Sequence, residues 1–186
     1  MKSAFVFPGQ GSQSVGMLSE LAAEYSLVGE TFQQASDALD YDLWKLIQEG
    51  PEESLNQTDR TQPAMLTAGV AVWRVLQSVS DLKPAYFAGH SLGEYTALVA
   101  ADAIDFADAV KLVEKRGQFM QQAVPVGEGA MAAILGLEDN VVRELCAEAS
   151  SQGVVEAVNF NSPGQVVIAG STAAVKQAIT LATEKG

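Results

Sequence analysis

Residues 89–93 read Gly-His-Ser-Leu-Gly, between an apolar run (Ala85-Tyr86-Phe87-Ala88) and a stretch of helical periodicity. A GxSxG segment joining a strand to a helix is the pattern of a nucleophile elbow, whose sharp turn presents a serine hydroxyl at the end of a sheet. Ser91 is therefore a candidate nucleophile, with the plainer role of a serine helix cap as the competing reading. Gly89 and Gly93 are expected on steric grounds, because a β-carbon at either would collide within so tight a turn. The N–H of Leu92 falls at the positive end of the following helix, where it would face a developing oxyanion. A second donor is expected from Pro8-Gly9-Gln10-Gly11-Ser12-Gln13, whose glycines let backbone N–H groups approach a ligand. A dinucleotide loop fits that segment poorly: Ser14 stands where the third glycine of GxGxxG belongs, and no lysine follows to make a phosphate loop.

A serine nucleophile needs a base, ordinarily a histidine. The single histidine is His90, the immediate neighbour of Ser91. Adjacent side chains diverge on a tight turn, so His90 reads as a packed, hydrogen-bonded support for the elbow, and the base is expected beyond Gly186. Arg116 could grip a carboxylate through two parallel hydrogen bonds. Spacing alone favours a solvated surface arginine over that role.

The elements that position these residues follow from periodicity. Met1 to Phe7 reads as a short buried strand stopped by Pro8-Gly9. Val28, Phe32, Ala35 and Leu39 share one helical face, as do Leu43, Leu46 and Ile47 before Gly50-Pro51. Pro63 suits the first turn of a largely buried helix carrying Met65, Ala68, Val72, Val75 and Val79. After the second strand, helical spacing resumes at Leu92, Tyr95 and Val99, then from Phe106 to Met120. Alternating strand and helix predicts an α/β fold: a parallel-sheet, hydrolase-like core containing the nucleophile elbow, over residues 1–125.

Residues 126–186 read as strand Met131–Leu135, helix Val141–Ala149, strand Val154–Phe160, strand Val166–Ala169 and helix Ala173–Ala182. This βαββα order predicts a small ferredoxin-like α+β subdomain one strand short, hence a chain truncated at its C-terminus or split.

Composition narrows the function classes. A formal charge of −12 argues against nucleic acid, whose phosphates require clustered Lys and Arg. Lys111, Lys115 and Arg116 are the one tight basic cluster, and an acidic partner would need it. No apolar stretch is long enough for a membrane helix and no signal segment opens the chain, so a cytoplasmic protein with no membrane partner is expected. The lone Cys146, in an apolar and acidic helical pattern, reads as a core residue. No Cys/His cluster suggests a metal.

Taken together, Gly89-His90-Ser91-Leu92-Gly93-Glu94-Tyr95 and Phe7-Pro8-Gly9-Gln10-Gly11-Ser12-Gln13 closely resemble the malonyl-CoA:acyl carrier protein transacylases of dissociated fatty acid synthesis. Thr61-Gln62-Pro63-Ala64, Arg116-Gly117 and Asn159-Phe160-Asn161-Ser162-Pro163-Gly164-Gln165-Val166-Val167 extend the resemblance in the family's order. It spans the whole chain but only the amino-terminal part of the family. The resemblance implies Ser91 as the nucleophile carrying malonate, with the N–H groups of Gln10 and Leu92 as oxyanion hole. It implies Arg116 as carboxylate clamp, Gln62 as its positioning partner, and Asn161 and Gln165 beside the groove for the pantetheine arm. Malonyl-CoA and acyl carrier protein would be the partners. The coenzyme A thioester would be substrate, and no metal or other cofactor is required. The family's catalytic histidine has no counterpart in residues 1–186, so the chain by itself is expected to be inactive or nearly so. Three rival readings stand: a serine hydrolase or thioesterase, an acyltransferase domain of a polyketide synthase, and a carrier-binding module without catalysis. Met1 placed directly before the first strand favours a free-standing enzyme over the second of these.

Overall fold

The computed structural model describes residues 2–125 and 127–186. Met1, the expected start of the first strand, and Val126, the expected domain boundary, lie outside the described residues. The chain packs as two compact units, Met1–Gln121 and Gln122–Gly186.

The first unit runs β1 (Ala4–Phe7), α1 (Ser19–Glu24), α2 (Ser26–Leu39), α3 (Leu43–Glu49), α4 (Glu52–Leu55), α5 (Thr58–Val79), β2 (Tyr86–Gly89), α6 (Leu92–Ala100) and α7 (Phe106–Gln122). Strands β1 and β2 pair in parallel, from Ala4 opposite Tyr86 to Phe7 opposite Gly89. The period-2 alternation of a strand decides which side chains meet the helices. Phe5, Phe7 and Phe87 turn toward α5, where Trp73 meets Phe5 and Phe87 edge-on at 5.2 and 5.1 Å between ring centroids. Ala4, Val6, Tyr86 and Ala88 take the opposite face and are exposed. The sequence predicts a buried first strand. The described helices cover only one face of this two-stranded sheet, so Val6 remains 72% exposed.

The main core forms where α2, α3, α5 and α7 present their apolar stripes to one another. Val28, Phe32, Ala35 and Leu39 are buried together as their spacing requires, with Leu43 and Ile47 of α3 alongside. The Phe32 ring meets Trp44 at 5.0 Å. Arg74 ties α5 to α2 by donating to Thr31 Oγ1 and Gln34 Oε1. Short helices α1 and α4 escape the sequence pattern; α1 has no fully buried residue and only Leu21 and Ala22, half-buried, against the core, too short an apolar stripe to read.

Helix α5 departs from expectation in two ways. It starts at Thr58, five residues before Pro63, which therefore lies inside the helix and not in its first turn. The added segment, Thr58-Asp59-Arg60-Thr61-Gln62, has no apolar signal because what it buries is polar. Thr61 Oγ1 donates to the carbonyls of Leu55 and Gln57, and Gln62 is fully buried. The helix is largely buried, as expected, with Met65, Ala68 and Val75 in the core, but the buried surface also takes in Leu66, Val70 and Trp73, while Val72 and Val79 are exposed.

The second unit runs β3 (Gly129–Leu135), α8 (Asp139–Ala149), β4 (Val155–Ser162), β5 (Gln165–Ser171) and α9 (Thr172–Lys185). Its strands form an antiparallel sheet in the order β3-β5-β4, leaving β3 and β4 as edges among the described residues. Ile134, Val155, Val166 and Ile168 pack against Leu145, Cys146 and Val175 of the helices. Burial, and secondarily Glu156, raises the thiol pKa of Cys146, which suits an inert core residue. No helix among the described residues is long and apolar enough to cross a membrane.

Deleting the ring at the centre of the first core, Phe32→Ala, is expected to lower unfolding free energy by about 3–5 kcal/mol. Urea denaturation of the variant measures this, and a loss below about 1 kcal/mol would contradict the packing described.

Candidate active site

The turn between β2 and α6 holds Ser91 at φ 53° and ψ −110°, a left-handed backbone that a residue with a β-carbon adopts at a cost of about 1–3 kcal/mol. Three backbone bonds hold it there. His90 N donates to Phe7 O at 3.3 Å, Gly93 N to His90 O at 2.9 Å, and Glu94 N to Ser91 O at 3.2 Å. A β-carbon on Gly89 would overlap the Gly93 carbonyl, and one on Gly93 would overlap the Phe7 carbonyl. Both glycines are thus required by close backbone approach, as the GxSxG spacing predicts.

Ser91 makes no side-chain capping bond to α6. Its hydroxyl is exposed and accepts a hydrogen bond from Arg116 Nη2 at 3.1 Å. This removes the helix-cap reading, since the oxygen is directed at a side chain from α7 and not at the backbone of its own helix. Leu92, the first residue of α6, has an N–H without an intrahelical acceptor, as every helix start must. Gly9 lies against the same turn: a β-carbon there would stand 3.0 Å from His90 O and 3.9 Å from Ser91 Cβ. The loop after β1 therefore meets the turn at Gly9, and the next residue, Gln10, is exposed.

Arg116 is half-buried, 25 residues along the chain from Ser91, and brought to it by the packing of α7. Its Nη1 donates to Gln62 Oε1 at 2.6 Å. Arginine only donates, so the amide oxygen of Gln62 must face it; the amide nitrogen then donates to Met120 Sδ at 3.3 Å. The guanidinium also lies 5.7 Å from the centroid of the Tyr95 ring. The surface-arginine reading of Arg116 fails for this reason, and the basic cluster seen in sequence divides. Lys111 and Lys115 stay on the exposed side of α7, while Arg116 turns inward.

His90 does not behave as expected. Its side chain is exposed, and among the described residues it has no side-chain hydrogen bond. The turn fixes His90 through its backbone carbonyl and N–H, and the imidazole Nδ1 lies beside the Gly9 loop, 3.6 Å from where a β-carbon on Gly9 would stand. Asn161 on β4 and Gln165 on β5 are exposed side chains near the β4–β5 turn of the second unit.

Residues 4–186 match the model of the acyl transferase domain. The chain belongs to that family. Within it, this acyl transferase domain is similar to a malonyl CoA-acyl carrier protein transacylase of Haemophilus influenzae, 61% identical over 186 residues, covering all of this chain and 60% of the relative. Among solved structures, it resembles the malonyl CoA-acyl carrier protein transacylase of Coxiella burnetii, with a TM-score of 0.97 and 56% identity over 100% of this chain and 59% of that one. It also resembles a structure described as a type II PKS acyl-carrier protein in complex with its malonyl-transacylase, with a TM-score of 0.97 and 54% identity, covering 100% of this chain and 60% of that one. The chain thus spans about 60% of the length of the relatives it matches.

Sequence reasoning assigned no role to Met120 or Tyr95, although each bounds the site. Nothing in their spacing marks them, since their neighbours come from other elements. In the acyl transferase domain Gly93→Ala should destabilise the protein by about 3 kcal/mol or more, as overpacking against backbone cannot be relieved by rotamer changes. A thermal melt within a degree or two of the parent would refute the close approach of α6 to β1.

Proposed function

We propose that the protein transfers malonyl groups from malonyl-CoA to the pantetheine thiol of acyl carrier protein, through an ester on Ser91, in fatty acid biosynthesis. The observation that carries this reading is the bond from Arg116 to the Ser91 hydroxyl: a fixed cation within reach of the nucleophile suits an acyl group with a carboxylate at its far end.

In this reading residues 1–125 are the amino-terminal part of a hydrolase-like α/β acyltransferase domain, and residues 126–186 an incomplete ferredoxin-like subdomain. The strand order β3-β5-β4 with two helices supports the latter, because a fourth strand of that fold would lie beside β3. Ser91 Oγ attacks the thioester carbonyl of malonyl-CoA. The oxygen–carbon bond forms, negative charge moves to the carbonyl oxygen, and the N–H groups of Gln10 and Leu92 bind it. Collapse breaks the carbon–sulfur bond and releases coenzyme A with the proton taken from Ser91. The pantetheine thiol then attacks the ester, and Ser91 recovers its proton. No metal or redox group takes part.

Arg116, held by Gln62, pairs with the malonyl carboxylate. Gly89 and Gly93 keep the elbow sharp, and His90 supports it through its backbone bonds to Phe7 and Gly93. The base that takes the Ser91 proton is, as the family resemblance implies, a histidine other than His90, whose imidazole makes no hydrogen bond to Ser91 among the described residues. Asn161 and Gln165 border the pantetheine path. The protein acts in the cytoplasm.

Intact-mass analysis and peptide mapping of the full-length gene product after incubation with malonyl-CoA should locate a malonyl ester on Ser91. Ser91→Ala should abolish it. An unmodified Ser91 overturns the proposal, and release of free malonate faster than transfer to acyl carrier protein would make the protein a hydrolase. Arg116→Ala should lower malonyl loading by about 10- to 100-fold, the worth of a charge-assisted hydrogen bond, while leaving acetyl loading nearly unchanged. An unaltered preference for malonyl over acetyl would remove Arg116 from the clamp.

A further inference from the structure

Helix α7 contains one glycine, Gly117, directly after Arg116. A glycine inside a helix costs about 0.5–1 kcal/mol relative to alanine, so a buried one needs a reason in the packing. The reason lies across the helix interface. A β-carbon at Gly117 would stand 2.5 Å from Asp59 Cα, 2.7 Å from Asp59 N and 2.7 Å from Thr58 O. All three are backbone atoms of the first turn of α5, which cannot rotate aside.

That crossing is one turn from the Gln62–Arg116 bond and is fastened around its rim. Arg60 Nη1 lies 3.4 Å from Glu114 Oε1, and Gln121 Nε2 donates to Asp59 Oδ1 at 3.0 Å. Three residues beyond Gly117, Met120 Sδ accepts the amide N–H of Gln62 at 3.3 Å. One face of α7 therefore supplies the close approach, the sulfur that orients the amide, and, beside it, the arginine that the amide holds.

We propose that Gly117 and Met120 are positioning residues for acyl-group selectivity: Gly117 sets how near Gln62 comes to Arg116, and Met120 anchors the N–H end of the Gln62 amide so that its oxygen stays on Arg116. The selectivity part rests on the malonyl-transfer reading above, whereas the geometric part stands without it. The distances decide the consequence. Relieving a 2.5 Å overlap to an ordinary carbon–carbon separation moves the helices apart by roughly 1 Å. A 2.6 Å hydrogen bond stretched by that amount exceeds the ~3.2 Å limit of a useful N–H···O bond. Arg116 then loses its anchor at Nη1 and is no longer fixed beside Ser91. Without the sulfur, the Gln62 N–H group loses its acceptor, and the side chain is less firmly held against Arg116.

The test uses the full-length gene product and single-turnover loading of Ser91 from malonyl-CoA and from acetyl-CoA. Gly117→Ala is expected to slow malonyl loading about 10-fold, the loss of one hydrogen bond to a charged group, with acetyl loading held within about 2-fold. In an Arg116→Ala background the same change should have no further effect on the malonyl-to-acetyl ratio, because both substitutions act through one group. Equal losses for the two substrates, or additive effects, overturn the proposal. Met120→Ala, at an exposed position, repeats the test should Gly117→Ala fail to fold, with a several-fold loss confined to malonyl; an unchanged ratio in that variant also overturns it. If the parent protein forms no malonyl ester at Ser91, the functional reading falls and selectivity with it. A crystal structure of Gly117→Ala then decides the geometric part, and an intact Arg116–Gln62 bond refutes it.

Discussion

The whole site depends on one steric constraint, the contact of the Gly89–Gly93 turn with the carbonyl end of β1. Gly93 sits where any side chain would overlap the Phe7 carbonyl, and Gly89 sits where any side chain would overlap Gly93. Those two contacts leave Ser91 no room to relax into an ordinary helical or extended backbone, so the turn retains an unfavourable φ of 53°. The strain is useful because it separates the hydroxyl from the backbone of its own helix. A serine in relaxed N-cap geometry would spend its oxygen on α6; this one presents it to a side chain from another helix.

Arg116 reaches Ser91 because two helices cross at backbone distance. The crossing requires a glycine on α7 and a first turn of α5 made of polar residues that are nonetheless buried. Thr61 and Gln62 are tolerated in the interior because each has partners there: Leu55 and Gln57 carbonyls for the hydroxyl, Arg116 and Met120 for the amide. Burying a guanidinium group costs much less when hydrogen bonds replace its lost water, and Gln62 supplies one of these. Among the described residues the cation of Arg116 has no carboxylate partner.

Much of the fold was legible in the residues. The faces of α2 and α3, both strands of the first unit, and the order of elements from Met131 to Ala182 follow from periodicity alone, because in each the buried side chains are apolar and regularly spaced. The misreadings have a common physical origin. Helix α5 was placed too late because its first turn buries polar groups, which carry no hydrophobic signal, and Pro63 then resembled a helix start. Val72 and Val79 were expected on its buried face because they fit the same periodicity as Met65, Ala68 and Val75, which are buried. His90 was expected to pack, yet the backbone of the turn does the holding and leaves the imidazole exposed.

Local sequence determined what depends on chain chemistry over a few residues: the elbow with its two obligatory glycines, the identity of the serine, the burial of Cys146, and a strongly acidic balance unsuited to nucleic acid. The tertiary structure alone decided which of three neighbouring cations, Lys111, Lys115 and Arg116, turns inward, and which amide receives it. Residues 62, 91 and 116 lie on different elements, and no spacing rule relates their positions. They meet because the hydrophobic core sets the axes of α5, α6 and α7, and because Gly117 lets two of those helices approach closely enough for a single hydrogen bond to span them.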